Sequence, residues 1–425
     1  MRLPPDCQRV FHGQGHAAAL VMMTIVGTSA GRRARLGAAV ASIERSKQAR
    51  LITLLMVVAC ACAVSASAWT SAPDWSDADS LFYQSMSLEV GGSSAQAARE
   101  AVFSSQLALP VLARDPQLAT QTRQNFESQF PRRRWLIPAL AAAIRPVAGA
   151  RALLDASIVG YVLFGAALLL LLSSRFPLAL AVGPVVLCLA LAPTREWALR
   201  PMTDSWGLAL MVCAIIAVLM VLGKRRAWML VWLVVMLALS FTRDLAIVPL
   251  AGLVWLMYRE REPSGRRLAL VLTATGALVT VPAYLLFGAS LRLSIAFEEH
   301  GWKLPIPEHG SWGYVMSHYP HLLSSTVKSD AHYALLGHPL VGLTIGVGLL
   351  ALFGVRANGE QLVVLMRGAA LGWLVLFVLN PGQSGFRYEL PLLPIAATGL
   401  CVFGQRLAQR FVGRRPALVP GAARP

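Results

Sequence analysis

The 425-residue chain is 56% hydrophobic and only 14% charged, with a mean hydropathy of +0.58. Soluble domains carry about 25% charged residues, so this balance excludes a soluble globular protein. It indicates an integral membrane protein with room for about ten helical spans of about 20 residues each.

The net charge of +17 does not describe a nucleic-acid surface. The basic residues cluster in short connections: Arg32, Arg33 and Arg35; Lys224, Arg225 and Arg226; Arg259, Arg261, Arg266 and Arg267; Arg406, Arg410, Arg414 and Arg415. That is the distribution of cytoplasmic loops under the positive-inside rule. Of the six cysteines, all but Cys7 fall in apolar runs, and Cys60, Cys62, Cys188, Cys213 and Cys401 form neither a disulfide framework nor a zinc spacing.

In chain order, residues 1–50 read as a basic cytoplasmic tail. The first span is predicted over 51–68. Its Arg50 lead and Ala66-Ser67-Ala68 end also fit a cleavable signal peptide, but the long basic stretch before it favours a retained anchor. Residues 69–134 form a first large outer loop. It opens on Trp75-Ser76-Asp77-Ala78-Asp79 and continues into a short helix over 80–90, which stops at Gly91-Gly92. A longer helix over 95–113 is interrupted at Pro110. Phe103, Leu107 and Val111 recur every four residues and give an apolar stripe suited to lying on the membrane surface. The loop leaves through Arg132-Arg133-Arg134, and the apolar run 135–147, broken by Pro138, Arg145 and Pro146, reads as a partly inserted or interfacial helix.

Nine more spans follow, over 153–172, 176–191, 203–222, 227–241, 245–258, 268–287, 335–355, 362–379 and 390–403. The expected fold class is therefore an all-α polytopic membrane protein of about ten transmembrane helices, with short surface helices in its first outer loop. Its domains are a basic tail (1–50), a multi-span membrane domain (51–405) and a second basic tail (406–425). Both termini fall inside, and the loops 69–134, 193–202, 289–333 and 380–389 fall outside. Only Arg132-Arg133-Arg134 breaks the charge rule, as an outer basic cluster beside a phosphate-handling site would. The loop 289–333 holds Glu298, Glu299, Glu308, Asp330 and most of the histidines. Within it, His318-Tyr319-Pro320-His321 lacks a companion carboxylate at ligand spacing, so no zinc site is expected.

Two constellations could carry chemistry. Asp77 and Asp79 before a helix are ordinary capping acids taken alone. At the start of an outer loop, with Tyr83 one turn on, they become candidates for a general base drawing a proton from a hydroxyl, or for an acid pair able to hold a divalent cation. The second constellation is a set of arginines at outer span ends: Arg195, Arg200, Arg243 beside Asp244, and Arg387 beside Tyr388. Charges at membrane depth are costly and face a cavity or a partner, and the guanidinium fork matches phosphate oxygens. The plainer reading is local pairing of Arg243 with Asp244 and snorkelling to headgroups. No phosphate-cradling glycine loop or nucleophile elbow is present, so nucleotide hydrolysis is not expected.

With these residues the chain resembles the GT-C superfamily of integral membrane glycosyltransferases, which take a sugar from a polyprenyl-phosphate donor at the outer membrane face. The likeness runs from about 51 to 403 and is one of layout and short motifs. It rests on Asp77, Asp79, Tyr83 and Gly91-Gly92; on Arg132-Arg133-Arg134-Trp135-Leu136-Ile137-Pro138; on Leu239-Ser240-Phe241-Thr242-Arg243-Asp244; and on Phe386-Arg387-Tyr388-Glu389-Leu390-Pro391-Leu392-Leu393-Pro394. The resemblance implies an inverting hexosyl- or pentosyltransferase with Asp79 as first candidate for the base, from its spacing to Tyr83, and Asp77 as second. Tyr83, Arg200, Arg243, Arg387 and Tyr388 are the expected substrate-binding residues. The expected partners are the lipid bilayer of a bacterial inner membrane, the polyprenyl-phosphate-linked sugar and a glycan, lipid or protein acceptor. The competing readings are a multi-span transporter, a lipid-linked glycan flippase or polymerase, and a non-catalytic assembly partner.

Overall fold

The computed structural model describes residues 47–70, 78–106, 108–114, 134–287, 312–354, 360–379 and 386–413, and among them every regular element is helical. The chain divides into two units, Met1–Thr53 and Leu54–Pro425. Of the first, the described part is the start of helix α1 (Lys47–Thr70). All other elements belong to the second.

The outer-loop helices are set by local signals. Helix α2 (Ala78–Val90) has Asp79 in its first turn, where a carboxylate opposes the positive end of the helix dipole. It ends in a left-handed glycine cap: Gly92 sits at φ +100°, Ser93 N–H donates to the Leu88 carbonyl and Gly92 N–H to that of Glu89, both at 3.0 Å. Ser94 then caps α3 (Ala95–Phe103) by accepting from the Ala97 N–H at 3.2 Å. The chain breaks before Pro110 and resumes as α4 (Leu109–Arg114). Leu81, Phe82, Val102, Ala108 and Val111 are buried together, and the Phe103 ring meets Phe82 edge-on at 6.1 Å. The expected surface stripe is thus partly turned inward: Val111 and Phe103 pack on α2, while Leu107 lies outside the described residues.

Helix α5 (Leu136–Ala148) forms where an interfacial helix was expected, but it is not a separate element. One tight turn, Gly149–Arg151, joins it to α6 (Ala152–Ser173), and Leu136–Ser173 make one apolar run of 38 residues. Then come α7 (Leu178–Ala190), α8 (Asp204–Leu222), α9 (Trp228–Ser240), α10 (Ile247–Arg259) and α11 (Pro263–Phe287). The last four are α12 (Trp312–His332), α13 (Pro339–Gly354), α14 (Gln361–Leu379) and α15 (Leu392–Gly413).

Among the described residues, four runs are long and apolar enough to cross a membrane: Leu136–Ser173, Asp204–Leu222, Pro263–Leu285 and Gln361–Leu379. The pair Met316–Gly337 and Pro339–Gly354, bent by 107°, makes a fifth if counted as one span. Leu51–Ala66, Leu178–Ala190, Trp228–Ser240 and Ile247–Arg259 are shorter apolar helices. Thirteen residues rise about 20 Å, against about 30 Å of hydrocarbon core. These long apolar helices make the chain an integral membrane protein.

The main core gathers α6 to α11 and α13 to α15, with Val57 and Ala61 of α1. Where lipid replaces water, close packing and buried hydrogen bonds hold helices together. Tyr161 of α6 donates to the Leu189 carbonyl of α7 at 2.6 Å, and Trp232 of α9 donates to the Leu272 carbonyl of α11 at 3.2 Å. Helices α13 and α15 touch backbone to backbone at Gly348 and Gly399, where any Cβ would overlap the facing chain.

Candidate functional site

Five chain segments meet around one acidic side chain. Asp204 is the first residue of α8, and its carboxylate is 2% exposed. Arg387, in the turn before α15, donates to it through Nε at 3.1 Å to Oδ1 and through Nη2 at 3.0 Å to Oδ2. Arg243, in the turn between α9 and α10, adds Nη2 to Oδ1 at 3.1 Å. The third nitrogen of Arg387, Nη1, reaches across to Asp79 of α2 and donates to Oδ2 at 2.6 Å.

A second ion pair flanks the first. Arg134, just before α5, donates to Asp244 Oδ2 at 2.7 Å and to the Tyr83 hydroxyl at 3.2 Å. The same stretch is tied to the end of α9 by Leu136 N–H to the Phe241 carbonyl at 3.4 Å and by Trp135 against Phe241 at 5.3 Å between ring centroids. Close approach is needed too. A Cβ on Gly207, one turn into α8, would sit 3.1 Å from the Arg243 Cβ, so glycine there lets the arginine lie along the helix.

Three acids face three arginines here, so the cluster is formally neutral. Its members differ in exposure. Asp204 is sealed, whereas the side chains of Asp79 and Asp244 keep 19% and 25% of theirs. A sealed carboxylate between two arginines is a structural anchor, because removing it strands two buried cations. Asp79 and Asp244 are the exchangeable partners. Burial works against the charge on Arg387, but Asp204 and then Asp79 hold its guanidinium well above the ordinary value.

A small cleft, part of it open to solvent, runs beside the cluster. Its lining combines Asp204, Arg243, Asp244, Arg387 and Tyr388 with the apolar Leu208, Leu245, Leu376, Leu390 and Pro391. The Arg243 guanidinium lies 5.5 Å from the Tyr388 ring centroid. Its Nη1 is buried and has no hydrogen-bond partner among the described residues.

Of the residues singled out from sequence, Arg243, Arg387 and Tyr388 line the cleft. Asp79 joins the cluster through Arg387 and is not part of the cleft wall. Tyr83 is buried and reaches the cluster only through Arg134. Arg200 stands behind, its guanidinium 4.2 Å from the Trp197 ring centroid, while Arg387 lies 5.4 Å from the same ring. Asp77, Arg132 and Arg133 lie outside the described residues. The local Arg243–Asp244 pairing is replaced by a crossed arrangement: Arg243 goes to Asp204, and Asp244 goes to Arg134.

Sequence reasoning missed Asp204. The signal was an acid at the head of an apolar stretch with no other charge, a costly placement that implies a partner. Among the described residues no three His, Cys, Asp or Glu side chains gather as cation ligands. With Asp79 bound to Arg387, the described residues do not fit a divalent cation. No protein-family model matches the sequence, and no curated protein matches it.

Proposed function

We propose that the chain is a GT-C-type membrane glycosyltransferase, moving a sugar from a polyprenyl-phosphate donor to an acceptor hydroxyl at the outer face of a bacterial inner membrane. The observation that carries this reading is Arg243, a cleft-lining arginine whose buried Nη1 has no protein acceptor among the described residues. Such a donor is costly to leave unmade, and a phosphate oxygen in the cleft would satisfy it. The leucines of the cleft lining suit the first apolar units of a lipid chain.

The neutral cluster accounts for how a donor would switch the site on. A phosphodiester brings one negative charge, and the half-buried carboxylate Asp79, more accessible than Asp204, is the partner Arg387 can give up. Arg387 Nη1 exchanges Asp79 for a phosphate oxygen, which frees Asp79 as a base. Asp79 takes the proton of the acceptor hydroxyl, and the acceptor oxygen attacks the anomeric carbon. The bond from that carbon to the phosphate oxygen breaks, with its electron pair leaving onto phosphate held by Arg387 and Arg243. Attack from the face opposite the leaving group inverts the anomeric centre. The ten-span topology with both termini in the cytoplasm belongs to this proposal. Short helices such as α7 and α9 would then complete their crossings with the largely buried segments 191–203 and 241–246, since irregular backbone at membrane depth is tolerated where it lines a cavity.

The test is donor saturation in membranes supplied with radiolabelled polyprenyl-phosphate sugars. Arg243→Ala should raise the donor KM by about tenfold to a hundredfold, the loss of one charge-assisted bond of about 1.5–3 kcal/mol, with the acceptor KM unchanged. An unchanged donor KM counts against the reading. The 107° bend between α12 and α13 favours a transporter as second reading, since transporters place broken helices around their sites. Solute flux in proteoliposomes without any transfer product would decide for it.

A further inference from the structure

The turn that presents Arg387 also carries Glu389, which the proposed reaction does not use. Glu389 is 4% exposed, and no cation pairs with its carboxyl among the described residues. Its side chain instead hydrogen-bonds the carboxyl of Asp330, from α12, which is buried as well. Two carboxyl groups can share a hydrogen bond only with a proton between them, so this pair carries one proton and one negative charge.

The pair is fastened to the backbone at the residue before Arg387. Asp330 Oδ1 accepts the Phe386 N–H at 3.3 Å. Phe386 sits at φ +70°, a left-handed conformation that costs a residue with a Cβ about 1–2 kcal/mol. It is held there from the other side by the Tyr333 ring, stacked at 5.4 Å and 16°, whose hydroxyl donates to Glu196 at 2.8 Å. A strained residue that its surroundings over-determine, next to a site arginine, marks a functional constraint.

We infer that Asp330 and Glu389 are positioning residues: their shared proton clamps the 386–391 turn to α12 and so holds Arg387 on Asp204 and Asp79. What the clamp does for turnover rests on the donor-phosphate reading above; the clamp itself does not. The group facing Glu389 from α12 is Asp330, and the group facing Asp330 from the turn is the Phe386 amide. Arg387 points away to Asp79 and Asp204, and Tyr388 lies against Arg243. When the shared proton leaves to water, two like charges remain in contact. Their repulsion parts the turn from α12, releases Phe386 from its left-handed conformation and lets Arg387 leave the acids. Burial and then the neighbouring Asp330 push the Glu389 carboxyl up to about 9, so the clamp is closed at neutral pH.

The test reads Arg387 directly, without any sugar donor. Full-length protein in nanodiscs is treated with an arginine-selective dicarbonyl reagent at about pH 7 and about pH 10, on either side of the Glu389 value. Labelling at Arg387 is followed by peptide mass spectrometry. Glu389→Gln keeps the shape and the single negative charge of the pair but cannot lose the shared proton. At pH 7 wild type and Glu389→Gln should label alike. At pH 10 Arg387 should label about tenfold faster in wild type than in the variant, the equivalent of one pKa unit of linkage. Asp330→Asn, which keeps an acceptor for Phe386, should protect Arg387 as Glu389→Gln does and decides the matter if the first variant does not fold. Equal labelling of wild type and variants at pH 10 overturns the inference. A chain that fails to transfer sugar yet shows this labelling pattern loses the glycosyltransferase reading and keeps the clamp.

Discussion

Within four residues, the turn before α15 satisfies two buried acids in two different ways. Asp204 is neutralised by cations: two guanidinium groups close on one carboxylate and leave it 2% exposed. Glu389 has no cation against it among the described residues; burial and then the neighbouring Asp330 push its carboxyl up, and in the clamp inferred above it shares a proton with Asp330. The first arrangement leaves no isolated buried charge, which would cost several kcal/mol; the second keeps a single negative charge spread over two carboxyl groups. They differ in what they respond to. Ion pairing to arginine does not change between neutral and alkaline pH, whereas a shared proton is lost to hydroxide. One half of the turn is therefore a fixed anchor and the other a titratable one.

The comparison breaks most sharply at Asp204. Asp204→Ala strands Arg243 and Arg387 in a sealed site and should cost about 3–5 kcal/mol, read as a large loss of folded protein on size-exclusion chromatography in detergent. Packing beneath the anchor comes next. Gly207→Ala pushes a methyl group into Arg243 Cβ, 3.1 Å away, and should cost about 1–3 kcal/mol of thermal stability. For the titratable half, the sign follows from linkage. Glu389 is raised in the folded chain from 4.5 to about 9, so the folded state holds a proton that the unfolded state has released. The stabilisation is complete below about pH 4.5, and it is lost as pH rises toward 9. The slope is at most about 1.4 kcal/mol per pH unit for one proton. Glu389→Gln should flatten that part of the melting-temperature profile, and an unchanged slope would remove the distinction between the two halves. The smallest effect is expected at Arg200, whose stacking on Trp197 is half-buried. Arg200→Ala should cost about 0.5–1 kcal/mol and leave the cluster's pairings intact.

Much of the layout was legible because hydrophobicity is local. Each expected apolar run carries a helix, and the glycine stop after α2 and the break at Pro110 follow from single residues. Lengths were less legible. Helices α7 and α9 stop at 13 residues; after α9 the chain from Phe241 to Asp244 turns and delivers Arg243 and Asp244 to the site. Asp79, Arg243 and Arg387 stood out individually, as charges at span ends must find partners. Who pairs with whom was not legible. Asp79 and Arg387 are 308 positions apart, and the crossed pairs Arg243–Asp204 and Arg134–Asp244 exist only once α2, α8 and α9 are packed together. The Asp330–Glu389 pair was hidden for the same reason, because burial and not residue type keeps the proton there.

The central claim is that the Arg387–Asp79 pair opens on a lipid phosphate to release a base. Sugar transfer from a radiolabelled polyprenyl-phosphate donor in membranes tests it, comparing wild type with Asp79→Asn. Asparagine keeps the shape and can still contact Arg387, but it accepts no proton at neutral pH. The account predicts a loss of turnover of about a hundredfold to ten-thousandfold, the usual contribution of a general base, with a donor KM no higher than that of wild type. Transfer by Asp79→Asn at the wild-type rate would contradict it.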